Sequence, residues 1–319
     1  MFQFRAMLTG VLILIDVDGR EHEVAVKDVG LCWGDVCIPK AGLDDLDDWA
    51  ARAGYLVARD EGVVALAPSA EMHHRETADG RAPELTLDDV DGNPVSFDDF
   101  SGHKRVLVTW ASWCGCRHEI GGWQRLQDEL ADTGLKLFSV ALDSDPEESR
   151  PWIEAASPTF PVAVDTAHVT AEKYGITNVP SVVWIDEQDR IVKPPTIAPG
   201  DDQFVDYTKI RADQHHDLLR AWARDGVLPQ SANGETPERT DEEQLALAHR
   251  RIAAHHQRNG DSERAKRQLA IAQDLSPWDW TVRRGGIAMT GGDPFLGEEF
   301  TSFWEEWDAS GRPGYTATT

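Results

Sequence analysis

The residues best equipped for chemistry in this chain are two cysteines separated by one glycine, Cys114 and Cys116, which end the run Val106-Leu107-Val108-Thr109-Trp110-Ala111-Ser112-Trp113. The β-branched apolar run reads as a strand, and Trp123, Leu126 and Leu130 beyond the cysteines mark one face of a helix. A thiol in the first turn of a helix faces unpaired backbone N–H groups and the positive end of the dipole, which lowers its pKa and makes it nucleophilic near neutral pH. Cys114 is therefore the candidate nucleophile, and Cys116 the thiol that would resolve a mixed disulfide formed on it. With a single residue between them the pair closes a small ring, so a disulfide there must depart from its preferred dihedral or open the helical turn. Two outcomes follow: an easily reduced, oxidising couple, or a Cys116 that does not resolve Cys114, leaving Cys32 or Cys37 as the partner in a relay between two domains.

The stretch Thr109-Trp110-Ala111-Ser112-Trp113-Cys114-Gly115-Cys116-Arg117-His118-Glu119 resembles the WASWCGPCRxE motif of thioredoxin-like thiol-disulfide oxidoreductases of the TlpA/ResA type. Ala82 to Leu87 and Asp91 to Val95 resemble that family's opening strand and hairpin, and Gly175-Ile176-Thr177-Asn178-Val179-Pro180-Ser181 its cis-proline segment. The likeness covers roughly Arg81 to Gly226. It departs in one place, because the family's proline between the cysteines is missing. The resemblance implies a thioredoxin-like α/β fold, no cofactor, a cis bond before Pro180, and Val179 offering backbone groups to an extended substrate. It also implies Trp113 and Arg117 beside the substrate, and an acid near the thiols, for which Asp88 is the candidate. Arg117 and Glu119 also read as solvent-facing helix residues, and Asp88 as a solvated turn residue. A peroxiredoxin is disfavoured, since Ala111 stands where its hydroxyl residue would be.

These groups need elements to hold them. Residues 1–67 read as a small α+β domain: a hairpin of Leu12 to Val17 and Glu23 to Val26, a second tight hairpin turning at Gly34-Asp35, a helix from Gly42 to Ala53, and a third hairpin of Tyr55 to Arg59 with Val63 to Ala67. The tight turn sets Cys32 opposite Cys37, in a pair close enough for a disulfide. Cys32-Trp33-Gly34-Asp35-Val36-Cys37-Ile38-Pro39 is similar to the CxxxxCxP element of the bacterial transmembrane thiol-disulfide interchange protein. A redox couple, a metal site and two buried thiols all fit the pair. Residues 68–81 read as a linker, with His73 and His74 on an extended segment. Residues 82–226 alternate strands and helices as a thioredoxin-like domain requires. A second linker spans 227–240. Residues 241–319 hold a tetratricopeptide-like helical hairpin and a Trp-rich tail. A lone hairpin cannot bury its own face, so it must pack on the thioredoxin-like domain or on a second subunit as a homodimer.

Composition narrows the partners. Lys plus Arg number 31 against 56 Asp plus Glu, a formal net charge of -25, which repels nucleic acid and anionic lipid. The apolar stretch from Met7 to Ile15 is too short to span a bilayer, and Asp16 and Asp18 follow where a cleavage site would want small residues, so the expected compartment is the cytoplasm. The sequence thus points to a thiol-disulfide oxidoreductase acting on protein or small-molecule disulfides. Two other readings stay open: a soft-metal thiolate protein for Cu(I), Hg(II) or zinc, and an adaptor that works through its helical hairpin.

Overall fold

Two units make up the chain, each from two separate stretches of sequence: Met1–Glu76 with Glu238–Pro277, and Thr77–Pro237 with Trp278–Thr319. The computed structural model describes residues 12–24, 30–33, 36–230, 232 and 236–315.

In the first unit, β1 (Leu12–Ile15) and β2 (Glu21–Val24) form the opening hairpin, with Leu12 opposite Val24. The proposed extension of that hairpin to Val26 lies outside the described residues. Strands β3 (Gly30–Trp33) and β4 (Val36–Pro39) form a separate ribbon that sets Cys32 against Cys37. Their Cα atoms are 4.0 Å apart and the sulfurs are bonded. Both cysteines are exposed, which overturns their reading as buried thiols; the Gly34-Asp35 turn lies outside the described residues. β5 (Tyr55–Asp60) and β6 (Val63–Pro68) complete a four-stranded sheet in the order β2-β1-β6-β5, with β1 and β6 parallel. Residues 68–81 are not a linker. β6 runs to Pro68, and a helix over Ala70–Thr77 follows, started by the Ser69 hydroxyl, which accepts the Met72 N–H at 3.2 Å. His73 and His74 therefore sit on a helix, with His73 buried.

The helical hairpin, Asp241–Arg258 and Ser262–Leu275, opens with a capping box between Thr240 and Glu243. Its apolar neighbour is the N-terminal sheet rather than the thioredoxin-like domain. Ala248 and Ile252 pack with Ile15, Ala58, Val63, Ala65 and Ala67 of the N-terminal sheet, whose small side chains let the helix come close.

In the second unit, β7 (Thr86–Asp88), β8 (Pro94–Ser96), β9 (Arg105–Trp110), β10 (Lys136–Ala141), β11 (Val162–Val164), β12 (Ser181–Ile185) and β13 (Ile191–Ile197) form one mixed sheet in the order β13-β12-β9-β10-β11-β7-β8. β9, β10 and β11 are parallel, while β12 runs antiparallel to β9 and β13. Every residue of β9 is buried, which is why it reads as an unbroken apolar run rather than an alternating one. Pro194 and Pro195 are tolerated because β13 is an edge strand. The closing helix spans Ala212–Asp225, and stacks Trp222 on Trp184 of β12 at 5.1 Å. Beyond Trp278 the chain adds the helices Trp280–Met289 and Glu298–Ala309, gathered around Trp280, Phe300, Phe303 and Trp307. No helix among the described residues is long and apolar enough to cross a membrane.

Behind the cysteines two backbones touch. A Cβ on Gly122 would lie 2.0 Å from the Gly200 carbonyl oxygen, and one on Gly200 would lie 2.4 Å from that of Glu119. Backbone on both sides leaves nothing that can swing away. Gly122→Ala should therefore lower the unfolding free energy by about 1–3 kcal/mol, seen as an earlier denaturant midpoint; an unchanged midpoint contradicts this packing.

Candidate thiol site

β9 ends at Trp110 and delivers the chain to a short loop whose shape is set by one buried carboxylate. Asp143 accepts the Ser112 N–H at 3.0 Å, the Ser112 hydroxyl at 2.8 Å and the Ser149 hydroxyl. Burial nevertheless raises Asp143 to about 6 against the pull of those donors. Trp113 is locked in the same way: its indole N–H donates to Leu142 O at 2.9 Å and its ring lies 3.4 Å from where a Cβ on Gly285 would sit. The expected substrate contact at Trp113 is thus a buried wall of the loop.

Cys114 does not sit in the first turn of an α-helix. It caps a 3₁₀ turn, Gly115–His118, and the α-helix begins only at Ile120. Cys114 has extended backbone and the turn begins at Gly115, so the chain folds back toward the cysteine that precedes it. The donor to the sulfur is consequently local: the Cys116 N–H reaches Cys114 Sγ at 3.3 Å. The Cys114 thiol in turn points at the Val179 carbonyl, 3.6 Å away. The Val179–Pro180 bond is cis. The Val179 N–H is taken by the Asn178 side chain at 2.8 Å, so both backbone groups expected to meet a substrate are occupied in this closed arrangement.

Both thiols are free and almost completely covered, Cys114 being 7% exposed and Cys116 4%. Burial pushes Cys114 up, but the Cys116 S–H and N–H together with the charges of Arg284 and Arg117 outweigh it and bring the thiol down to about 7. Burial drives Cys116 well above the ordinary thiol value, and the adjoining Cys114 thiolate and the Glu119 carboxylate push it the same way. One sulfur is thus prepared to ionise and the other to hold its proton. Glu119, 2% exposed, is lifted to about 8 by burial, even though the Gly200 N–H donates to it at 3.0 Å.

Around the thiols runs a collar of aromatic rings and cations. Phe204 rests on Gly115, where a Cβ would meet its ring at 3.0 Å, and His118 lies between Phe204 and Trp152. Arg117 donates to Ser112 O at 2.6 Å and is sandwiched between the rings of Trp152 (4.2 Å) and Phe295 (4.3 Å). It is therefore neither a free substrate hook nor a solvent-facing helix residue. Asp88 fails as the nearby acid. It is exposed on β7, two strands and more from β9, and pairs across to Val164 and Pro94. The acid beside the sulfurs is Glu119, at the end of the 3₁₀ turn. Among the described residues no group of three or more His, Cys, Asp or Glu is arranged to hold a metal ion.

Residues 78–193 match the AhpC/TSA family. The thioredoxin-like protein YneN of Bacillus subtilis is 31% identical over 114 residues, 34% of this chain and 65% of that protein. The thiol-disulfide oxidoreductase ResA of Bacillus thuringiensis is 22% identical over 129 residues, 40% of this chain and 75% of its own length. Within the second unit, this stretch is therefore similar to thioredoxin-like redoxins of the TlpA/ResA type. A solved putative thiol:disulfide interchange protein DsbE from Chlorobium tepidum is 25% identical, covers 44% of this chain and 94% of its own, and has a TM-score of 0.37. The chain thus spans just under two thirds of YneN, and the N-terminal unit, the helical hairpin and the tail lie outside the family match.

Within the redoxin domain, Glu119 was visible to sequence reading only as a motif position, and Asp143 only as part of a helix-capping run. Phe295 and Arg284 carried no signal, being far along the chain from the cysteines. The titration of Glu119 yields a test. The folded chain keeps a proton that the unfolded chain releases, so the stabilisation is fully present below about pH 4.5 and is lost as pH rises through about 8. The melting temperature of the wild type relative to Glu119→Gln should therefore fall steadily from about pH 5 to about pH 8. A difference independent of pH contradicts a buried, protonated Glu119.

Proposed function

We propose that the chain is a thiol-disulfide oxidoreductase acting through Cys114 and Cys116. The reading is carried by one observation: two thiols two positions apart on one turn, linked by the Cys116 N–H to Cys114 Sγ contact and shifted in opposite directions. In the reaction, the Cys114 thiolate attacks one sulfur of a substrate disulfide, forming a mixed disulfide and expelling the other sulfur as a thiolate. The negative charge on Cys114 is then gone, and with it the repulsion that holds the proton on Cys116. The expelled substrate thiolate takes that proton, the Cys116 thiolate attacks Cys114 Sγ, and the second substrate sulfur leaves as a thiolate. Two electrons have moved to the substrate, and an external dithiol must return them.

Cys32–Cys37, an exposed disulfide, is the candidate second couple: reduced by the external dithiol, it passes two electrons and two protons on to the Cys114–Cys116 disulfide and closes again itself. We place the cycle in the cytoplasm, with protein or low-molecular-weight disulfides as substrates.

Cys114→Ser should abolish reduction of insulin or glutathione disulfide by a dithiol, a loss of at least about 100-fold, because a hydroxyl is not ionised near neutral pH. Cys116→Ala should retain the first step and accumulate a mixed disulfide on Cys114, visible by mass and reversed by reductant. Peptide mapping of that species for Cys32 or Cys37 tests the relay. Full turnover by Cys114→Ser rejects the assignment.

A further inference from the structure

The helix Trp280–Met289 lies outside the family match, yet it is fastened to both sides of the thiol site. Its first residue, Trp280, donates its backbone N–H to Thr177 O at 2.7 Å, in the segment that leads to the cis-proline. One turn later Gly285 lies against the ring of Trp113, the residue before Cys114. Between these two anchors stands Arg284, whose guanidinium is held on three sides: Nε donates to Pro294 O at 2.7 Å, and the rings of Phe295 and Phe300 lie 4.9 and 4.3 Å away. Phe295 is shared, because its ring also carries Arg117 at 4.3 Å. Two guanidinium groups from distant parts of the chain are thereby held on one ring beside the sulfurs. Like charges repel, so negative charge close by favours this arrangement.

We infer that Arg284 is a positioning residue of the thiol site, supplied by the C-terminal segment to hold the Cys114 sulfur in its ionised form. This rests on the oxidoreductase reading and deepens it: the redoxin domain's nucleophile is completed by a helix that the family match does not include. The charged and titratable groups in electrostatic contact with Cys114 are Cys116, Arg117 and Glu119 from its own segment, Arg284 from the helix, and Tyr315 from the tail. Asp143 acts on Arg117, and Asp293 on Arg284. Arg284 is the cation of this set whose hydrogen bond goes to Pro294 rather than to the loop that bears the thiols. Arg117, by contrast, also fastens Ser112.

The test is the pH profile of Cys114 alkylation by iodoacetamide in the full-length reduced chain, followed by peptide mass and compared across wild type, Arg284→Gln, Arg284→Met and Arg284→Lys. Loss of the charge should move the midpoint upward and slow alkylation at pH 7 by roughly three- to tenfold in Arg284→Gln. Arg284→Met, which keeps an apolar stem between Phe295 and Phe300, should show the same shift if the Gln variant does not fold. Arg284→Lys should restore most of the wild-type profile, which a purely structural role of the side chain would not do. An unmoved midpoint in a folded Gln or Met variant overturns the inference. The outcome is separable from the oxidoreductase assignment: an unmoved profile with normal disulfide turnover removes Arg284 alone, whereas a shifted profile in a chain that turns over no disulfide removes the assignment and leaves the charge effect standing.

Discussion

An anion that has lost nearly all its water must be balanced by groups already fixed in place. That requirement governs the thiol site, because Cys114 is 7% exposed and yet titrates below the ordinary thiol range. Desolvation alone would push it the other way. The balance is struck by the N–H and S–H of Cys116 and by the two guanidinium groups flanking Phe295. The rest of the second unit holds these donors still. Asp143 fixes the loop before Cys114, the Gly122–Gly200 contact fixes the helix after it, and the cis bond at Pro180 brings the Val179 carbonyl to the sulfur.

The single-residue spacing shapes the thiol pair. Winding the segment as a 3₁₀ turn makes Cys114 the cap and brings the next cysteine's own N–H onto its sulfur, so the two thiols are joined by a bond to the backbone as well as by charge. Glu119, the last residue before the α-helix, is drawn into the same group. Its carboxyl is raised by burial and by the Cys114 charge, and it raises Cys116 in turn. Three acids sharing so little solvent titrate as a set, and a change in the bonding of any one redistributes protons over the others.

Local chemistry was legible in the chain. The buried β9, the thiols after it and the segment around Pro180 follow from apolar runs and motif residues, and the opposition of Cys32 and Cys37 follows from the length of a tight turn. What could not be read were facts of assembly. The order of elements does not say which helix covers which sheet face, so the pairing of the hairpin's Ala248 and Ile252 with the alanines of β5 and β6 was out of reach. The same holds for the return of Trp280–Met289 to the thiols. Burial was misjudged for like reasons. Asp88 sits on a short strand near the sheet edge with its side chain in water, while Glu119 is buried because Gly200 closes over it from eighty residues away. Polarity in the sequence points outward by default; only the packed fold identifies the carboxylate that has been turned in.

The central claim is that one sulfur of the pair is ionised near neutral pH at the expense of the other. Ultraviolet thiolate absorbance of the chain with the Cys32–Cys37 disulfide intact, titrated from acid to alkaline pH, reads this directly. The account predicts one thiolate appearing with a midpoint near pH 7 and the second thiol still protonated beyond pH 9. Two thiolates appearing together near the ordinary value of 9 would contradict it.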